Sequence, residues 1–273
     1  MHDDPVLGCL IEALRPVPGL AALVLGGSRG RGTAGPHSDY DLGLYYEPQV
    51  PLDVAALRSA VAPLADDPSF TLVGLGEWGP WIDGGAWLTS GGIKVDLLYR
   101  DLGRVHEVAA QARRGQFSMN YQPGHPHGFA STIWMGEIAT CRPLLDLQGA
   151  VAALKEQTRP YPEPLRAAVI TRFGWEAGFA VDNARLAARR SEQTHFAGCA
   201  YRALCCTAQV LFALNGRYLI NEKGAVGEAA AFRTTIPGLA ERQAAIWRDI
   251  GTGALDAALE RLRGVADDLR SLL

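Results

Sequence analysis

Residues 23–46 read LVLGGSRGRGTAGPHSDYDLGLYY, and the rest of the chain is organised around this stretch. Its first residues close an apolar run, Ala21 to Leu25, that stops at Gly26 and Gly27. A run bounded by glycines in this way predicts a short buried strand. Ser28 follows, then an arginine segment broken by Gly30, Gly32, Gly35 and Pro36, which allows a helix of a turn or two at most. A second strand is expected from Ser38. Its period-2 alternation puts Asp39, Asp41, Gly43 and Tyr45 on one face and Tyr40, Leu42, Leu44 and Tyr46 on the other. The second set is core. The first carries two carboxylates about 7 Å apart along the strand, which repel each other unless a cation sits between them. Hard divalent ions with oxygen ligands suit that position.

A third acid belongs with these two. Ile93 to Tyr99 (IKVDLLY) is another strand-like run, with Ile93, Val95, Leu97 and Tyr99 on one face and Lys94, Asp96 and Leu98 on the other. If this strand pairs beside Asp39 and Asp41, Asp96 completes a three-carboxylate cluster. Gly-Gly-Ser, then Asp-x-Asp starting eleven residues after the serine, then a lone Asp between apolar residues form an ordered set. The set resembles the polymerase-β-type nucleotidyltransferase superfamily, and within it the bacterial antibiotic nucleotidyltransferases acting on aminoglycosides and lincosamides. The resemblance is strong over residues 21–46, fair over 70–100 and only architectural beyond. Gly-Gly-Ser alone would carry little; the full set in order is specific.

The chemistry follows from the residues. Nucleotidyl transfer moves an NMP unit from an NTP to an acceptor hydroxyl, and the protein supplies positioning and charge neutralisation. Two Mg2+ ions about 3.5–4 Å apart can stabilise the attacking and leaving oxygens together. Asp39 and Asp41 are expected to bridge the ions, with Asp96 holding the one nearer the acceptor. Gly26 and Gly27 permit close backbone approach to a triphosphate, and Ser28 can offer a hydroxyl and a backbone N–H to its terminal phosphates. Arg29 and Arg31 could neutralise the triphosphate or belong to a solvated loop; the sequence allows both. AMP is the expected NMP, with ATP as the co-substrate. The general base is open between Asp96 and metal activation of the hydroxyl alone. Neither Glu77 nor Glu107 matches the separate glutamate of some antibiotic nucleotidyltransferases.

At 273 residues the chain can bury one large core or two modest ones, and two domains are expected. A net charge of −3 and an acidic pI argue against a polynucleotide partner, which wants a basic face. A small or cationic acceptor fits better. The five cysteines are odd in number and scattered without C-x-x-C spacing, so reduced thiols in a cytoplasmic protein are expected. No apolar run approaches about 18 residues, and the N-terminus has neither the basic start nor the apolar core of a signal peptide. The oligomeric state is open.

The predicted fold class is α+β, an N-terminal mixed-sheet nucleotidyltransferase domain over residues 1–145 followed by a C-terminal helical bundle over 146–273. In the first domain, Asp3 or Asp4 can cap a helix to about Arg15, residues 53–64 have helical spacing, Phe70 to Leu75 reads as a strand, and Asp101 caps a helix to about Arg114. Trp78, Trp81 and Trp87 are expected to cover one end of the sheet, with a nucleobase platform as the alternative. Residues 116–127 read as a loop or irregular hairpin. His125 and His127 there invite a zinc reading, but no third and fourth ligands lie nearby in sequence, and a hinge or substrate-facing loop is preferred. Helix is expected over 129–140, and a linker from Cys141 to Pro164.

The second domain predicts helices over 164–190, 194–214, 239–250 and 255–272. Trp175, Phe179 and Asp182 share a helix face with Glu176 at its edge. Glu176 and Asp182 could meet a cationic or hydroxyl-rich acceptor there, although two core aromatics with rim acids is the commoner arrangement. The acceptor is expected in the cleft between the two domains. Lys223, in an Asn-Glu-Lys-Gly turn, could reach the triphosphate or be an ordinary exposed lysine. Two other functions compete with a small-molecule acceptor. A toxin–antitoxin type enzyme would modify a protein or tRNA, and its helical partner carries R-x(4–6)-H. Arg190 to His195 fits that spacing, but so do Arg31 to His37 and Arg100 to His106, where it has no meaning. A non-catalytic nucleotide-binding module is the other, and the presence of Ser28, Asp39, Asp41 and Asp96 together speaks against it.

Overall fold

The structure is a computed structural model and describes residues 4–273. Asp3, one of the two expected caps of the first helix, lies outside the described residues. The chain divides into two compact units, residues 4–110 with 134–159, and residues 111–133 with 160–273.

The first unit opens with α1 (Pro5–Leu14), whose N-cap is Asp4: its carboxylate accepts from the Leu7 N–H. The cap satisfies one of the free N–H groups of the first turn, and Pro5 has no N–H to satisfy. There follow β1 (Ala22–Leu25), a five-residue α2 (Gly27–Arg31), β2 (Tyr40–Tyr46), α3 (Val54–Val61), a short β3 (Thr71–Leu72) and α4 (Gly79–Ile82). β4 (Gly85–Ser90), β5 (Ile93–Asp101) and α5 (Leu102–Arg113) come next. A small hairpin, β6 (Met119–Asn120) and β7 (Phe129–Ala130), precedes α6 (Ile133–Thr140), β8 (Arg142–Asp146) and α7 (Ala150–Gln157).

Six of these strands form one mixed sheet in the order β3-β4-β5-β2-β1-β8. β2 and β5 are parallel, and the other pairs are antiparallel. Tyr40, Leu42, Leu44 and Tyr46 of β2 are buried with Val95, Leu97 and Tyr99 of β5 against Leu10 and Leu14 of α1 and Leu57 and Val61 of α3. The alternation read from the sequence therefore selects the core face of both central strands. Apolar burial on this face favours that register strongly, because a one-residue slip would turn every core side chain outward.

Three strands escape the sequence, one of them β7, which takes Phe129–Ala130 from the start of the helix expected over 129–140 so that α6 begins only at Ile133. β4 hides in a glycine- and tryptophan-rich segment, yet Ala86, Leu88 and Ser90 alternate inward, and a Cβ at Gly85 would collide with the Leu97 carbonyl. β8 lies in the stretch expected as linker. It is an edge strand carrying Pro143 where its register with β1 shifts, the kind of place that tolerates a residue without an N–H. With β8 in the sheet and α7 packed against it, the compact unit runs on to residue 159, past the expected break at 145.

The second unit is helical: α8 (Glu163–Arg189), α9 (Gln193–Leu214), α10 (Ala225–Ala230), α11 (Leu239–Gly251) and α12 (Leu255–Ser271). α9 is long and apolar enough to cross a membrane by length and composition alone, although Arg202 and Gln209 interrupt any continuous apolar run along it. It is buried along most of its length against α8, α10 and α12, as the core helix of a bundle is. Residues 111–133 belong to this unit because their side chains pack into it. Phe117 and Phe173 stand with ring centroids 5.7 Å apart, and a Cβ on Gly115 would press on the Pro164 backbone. All five cysteines are free thiols, with Cys9 alone exposed.

Candidate active site

The site is built by strand register. In the parallel β2–β5 pair Asp41 faces Asp96, and in the antiparallel β4–β5 pair Trp87 faces Asp96. Directly paired residues point to the same side of a sheet, so Trp87, Asp96 and Asp41 form a row across three strands, opposite the core. The row continues into the glycine turn, where the Gly26 N–H donates to the Asp41 carbonyl at 2.7 Å. Gly27 then adopts φ +55°, and any Cβ there would overlap the Asp41 carboxylate. Only glycine holds the turn this close to the acid. Ser28 follows inside α2, which Gly32 ends in the left-handed conformation with its N–H on the Arg29 carbonyl. Asp39 lies just before β2 and is half-exposed, whereas the Asp96 side chain is only 18% exposed.

Burial raises the Asp41 pKa, and Asp96 and Asp39 push it the same way, while Lys94 and Arg31 oppose them. The expected repulsion among the three acids is therefore present. It is met by Lys94, whose Nζ stands 3.3 Å from Asp96 Oδ2 and 3.8 Å from Asp39 Oδ2. Sequence reading put Lys94 on the face of Asp96 but gave it no role, though the alternation held the signal.

The acid cluster bears on cation binding in two ways. Its donors are hard carboxylate oxygens, and an ammonium occupies the space between two of them, so the residues fit a divalent cation in kind. Among the described residues, no group of three or more His, Cys, Asp or Glu side chains is drawn together as ready metal ligands. The acids stand around the lysine instead.

The remaining expected site residues separate. Arg29 is tied into the fold: its Nε donates to the Ser38 carbonyl at 2.9 Å, its guanidinium lies 4.0 Å from the Tyr40 ring centre, and Nη1 is 3.6 Å from Asp4. Arg31 is exposed. In the helical unit, Lys223 is exposed at the turn before α10, with its N–H on Asn221.

Glu176 and Asp182 are not brought together. The Glu176 Oε1 accepts from Arg202 Nε at 2.6 Å, and Arg202 also donates to the His127 carbonyl at 2.6 Å. Asp182 is 70% exposed, beside Arg185. Trp175 and Phe179 are exposed and do not belong to the core. They stack with centroids 5.1 Å apart and are 67% and 53% exposed.

His125 and His127 form a polar cluster with Glu222, which accepts from the His127 N–H at 3.2 Å and stands 3.3 Å from His125 Nδ1. Burial works against the Glu222 charge, but these bonds outweigh it and lower its pKa. The buried His127 ring has its pKa pushed down to about 4, by burial first and then by Arg202. The zinc alternative gains no ligand set here.

The glycine turn and the serine after it follow β1, and the paired acids stand on the neighbouring strands β2 and β5. Residues 10–72 match the family model of the nucleotidyltransferase domain. The matched segment runs from α1 to β3, taking in Ser28, Asp39 and Asp41 and stopping before Asp96. The match makes this segment similar to a nucleotidyltransferase domain, a kind of domain found in transferases. No functionally curated protein matches the chain. Among solved structures, a nucleotidyltransferase-like protein from Exiguobacterium sibiricum 255-15 is similar at 12% identity and a TM-score of 0.43, over 94% of this chain and 71% of that one.

Proposed function

We propose that this protein transfers an NMP unit, AMP from ATP in the first instance, to a hydroxyl of a small-molecule acceptor, with hydroxylated antibiotics the first class to test. The observation that carries the proposal is the β2–β5 register, which sets Asp41 beside Asp96 at the edge of the Gly26–Gly27 turn. Asp39, Asp41 and Asp96 are the residues that would hold divalent ions, Mg2+ being the expected one. Bound there, such ions supply charge neutralisation at the phosphates and a lower pKa for the acceptor hydroxyl.

The protein's own groups do the rest. Gly27 and Ser28 hold the terminal phosphates through backbone N–H and hydroxyl, and Arg31 adds positive charge from the loop rim. The acceptor oxygen forms a bond to the α-phosphorus as the bond to the bridging oxygen breaks, and pyrophosphate leaves with that electron pair. The hydroxyl proton passes to Asp96. Lys223 and the acids Glu176 and Asp182 are the contributions proposed for the helical unit, to pyrophosphate and acceptor respectively. The cytoplasm is the proposed compartment.

The test is a mass-spectrometric screen of NTPs against pooled acceptors for a product heavier by one NMP, with Asp41→Asn as the control. The Asn variant should fold as well as the wild type, since it loses one of three repelling charges, and should form no product. The missing charge removes several kcal/mol of transition-state stabilisation. Product formation by the Asn variant with Mg2+ present would end the assignment.

A further inference from the structure

The carboxylate cluster already has a cation. Lys94 and Asp96 are two apart on β5 and share a face, and the Lys94 ammonium reaches across to Asp39 just ahead of β2. The position on the strand makes this possible. The lysine Cβ has to lie on the side of the sheet that carries the acids, and its stem has to be long enough to cross to the neighbouring strand. Lys94 meets both conditions while its side chain stays 53% exposed, so solvent can receive the ammonium when it leaves. Arg29, the nearest arginine along the chain to the turn serine, is held by Asp4, the Ser38 carbonyl and the Tyr40 ring.

We infer that Lys94 is the resident counter-ion of the acid cluster, and that a divalent ion binds by displacing its ammonium from Asp39 and Asp96. The inference rests on the proposed reading of Asp39, Asp41 and Asp96 as the metal-holding residues. With Lys94 in place, three carboxylates and one ammonium leave the cluster at a formal −2; without it the same cluster is −3. A tethered ammonium acts as an internal competitor, so the apparent ion affinity is lowered by the fraction of time the acids are free of it. Lys94 is in this sense a residue that sets metal affinity rather than one that touches the reacting atoms.

Binding of Mn2+ without nucleotide, followed by calorimetry or by the electron paramagnetic resonance of the free ion, tests this on the full chain. If the lysine occupies the acids about nine-tenths of the time, Lys94→Gln should tighten Mn2+ binding by about tenfold. Lys94→Arg should stay near the wild type, and Asp41→Asn should weaken binding. In the presence of a chelator, Lys94→Gln should also melt below the wild type, with the difference closed or reversed by saturating Mn2+. Equal or weaker Mn2+ binding by Lys94→Gln, with Asp41→Asn still impaired, would overturn the inference and leave the metal reading standing. Absence of Mn2+ binding in wild type and variant alike would remove both.

Discussion

The Tyr40 hydroxyl lies 2.6 and 2.7 Å from the two carboxylate oxygens of Asp4, the cap of α1. Tyr40 stands between Asp39 and Asp41, and Arg29 of the glycine-rich loop packs over its ring. The cap of the first helix therefore holds both halves of the candidate site, the serine turn and the acid strand. Burial and the bond to Asp4 raise the Tyr40 pKa to about 12, so the hydroxyl remains a donor throughout the physiological range.

Arg29 and Arg31 should accordingly separate on substitution. Arg29→Ala removes a ring contact and a hydrogen bond and should cost about 1–2 kcal/mol of stability in urea denaturation. Arg31→Ala should change stability by no more than about 0.5 kcal/mol and raise KM for the NTP. Equal stabilities for the two variants would show that the Asp4–Tyr40–Arg29 contacts contribute little.

The turn itself offers a graded pair. Ser28→Ala should raise KM for the NTP around tenfold with a smaller fall in kcat, the signature of a lost ground-state contact of roughly 1.5–3 kcal/mol. Gly27→Ala should be more severe. Its φ of +55° strains any side chain, and the new methyl would displace the Asp41 carboxylate. Steady-state kinetics that showed movement only in the acceptor KM of Ser28→Ala would exclude a phosphate role for this loop.

In the helical unit, Glu176→Gln should destabilise the protein by about 1–3 kcal/mol, because it leaves Arg202 without its charged partner. Asp182→Asn should be close to neutral in stability, its carboxylate being 70% exposed. An acceptor role for Asp182 would appear as a raised acceptor KM in that variant, with the effect shrinking as salt is raised. A Glu176→Gln protein as stable as the wild type would show that the ion pair is not worth its desolvation.

His127 makes stability depend on pH in a stated direction. Its folded pKa, about 4, lies below the ordinary 6.5, so the unfolded chain binds the extra proton first. Its stabilising contribution is complete above pH 6.5 and is lost as pH falls toward 4. The loss attributable to this residue should reach about 2 kcal/mol at pH 5. Arg202 opposes its protonation as well, and Glu222 favours it. Urea denaturation at pH 7.5 and pH 5 should show a smaller difference for His127→Gln than for the wild type. An unchanged difference would mean that the ring titrates normally in the folded protein.

Local patterns determined the parts of this protein that local physics controls. The burial of Tyr40, Leu42, Leu44, Val95, Leu97 and Tyr99 was legible because a strand's side chains alternate, whatever it pairs with. The same alternation placed Asp41 and Asp96 on the opposite face before any pairing was known. The long helices α8, α9, α11 and α12 were legible from apolar spacing and from turn residues such as Asn215 and Gly216. What sequence could not decide was who meets whom. The facing of Asp41 and Asp96, the reach of Lys94 to Asp39, the Asp4–Tyr40 bond and the Glu176–Arg202 pair join residues 26 to 55 positions apart on different elements. β8 was hidden for the same reason, since a proline-bearing edge strand shows itself only when β1 is there to pair with it. Such contacts depend on how the elements pack, and packing is decided by the burial of the whole apolar face, which no short window of sequence contains.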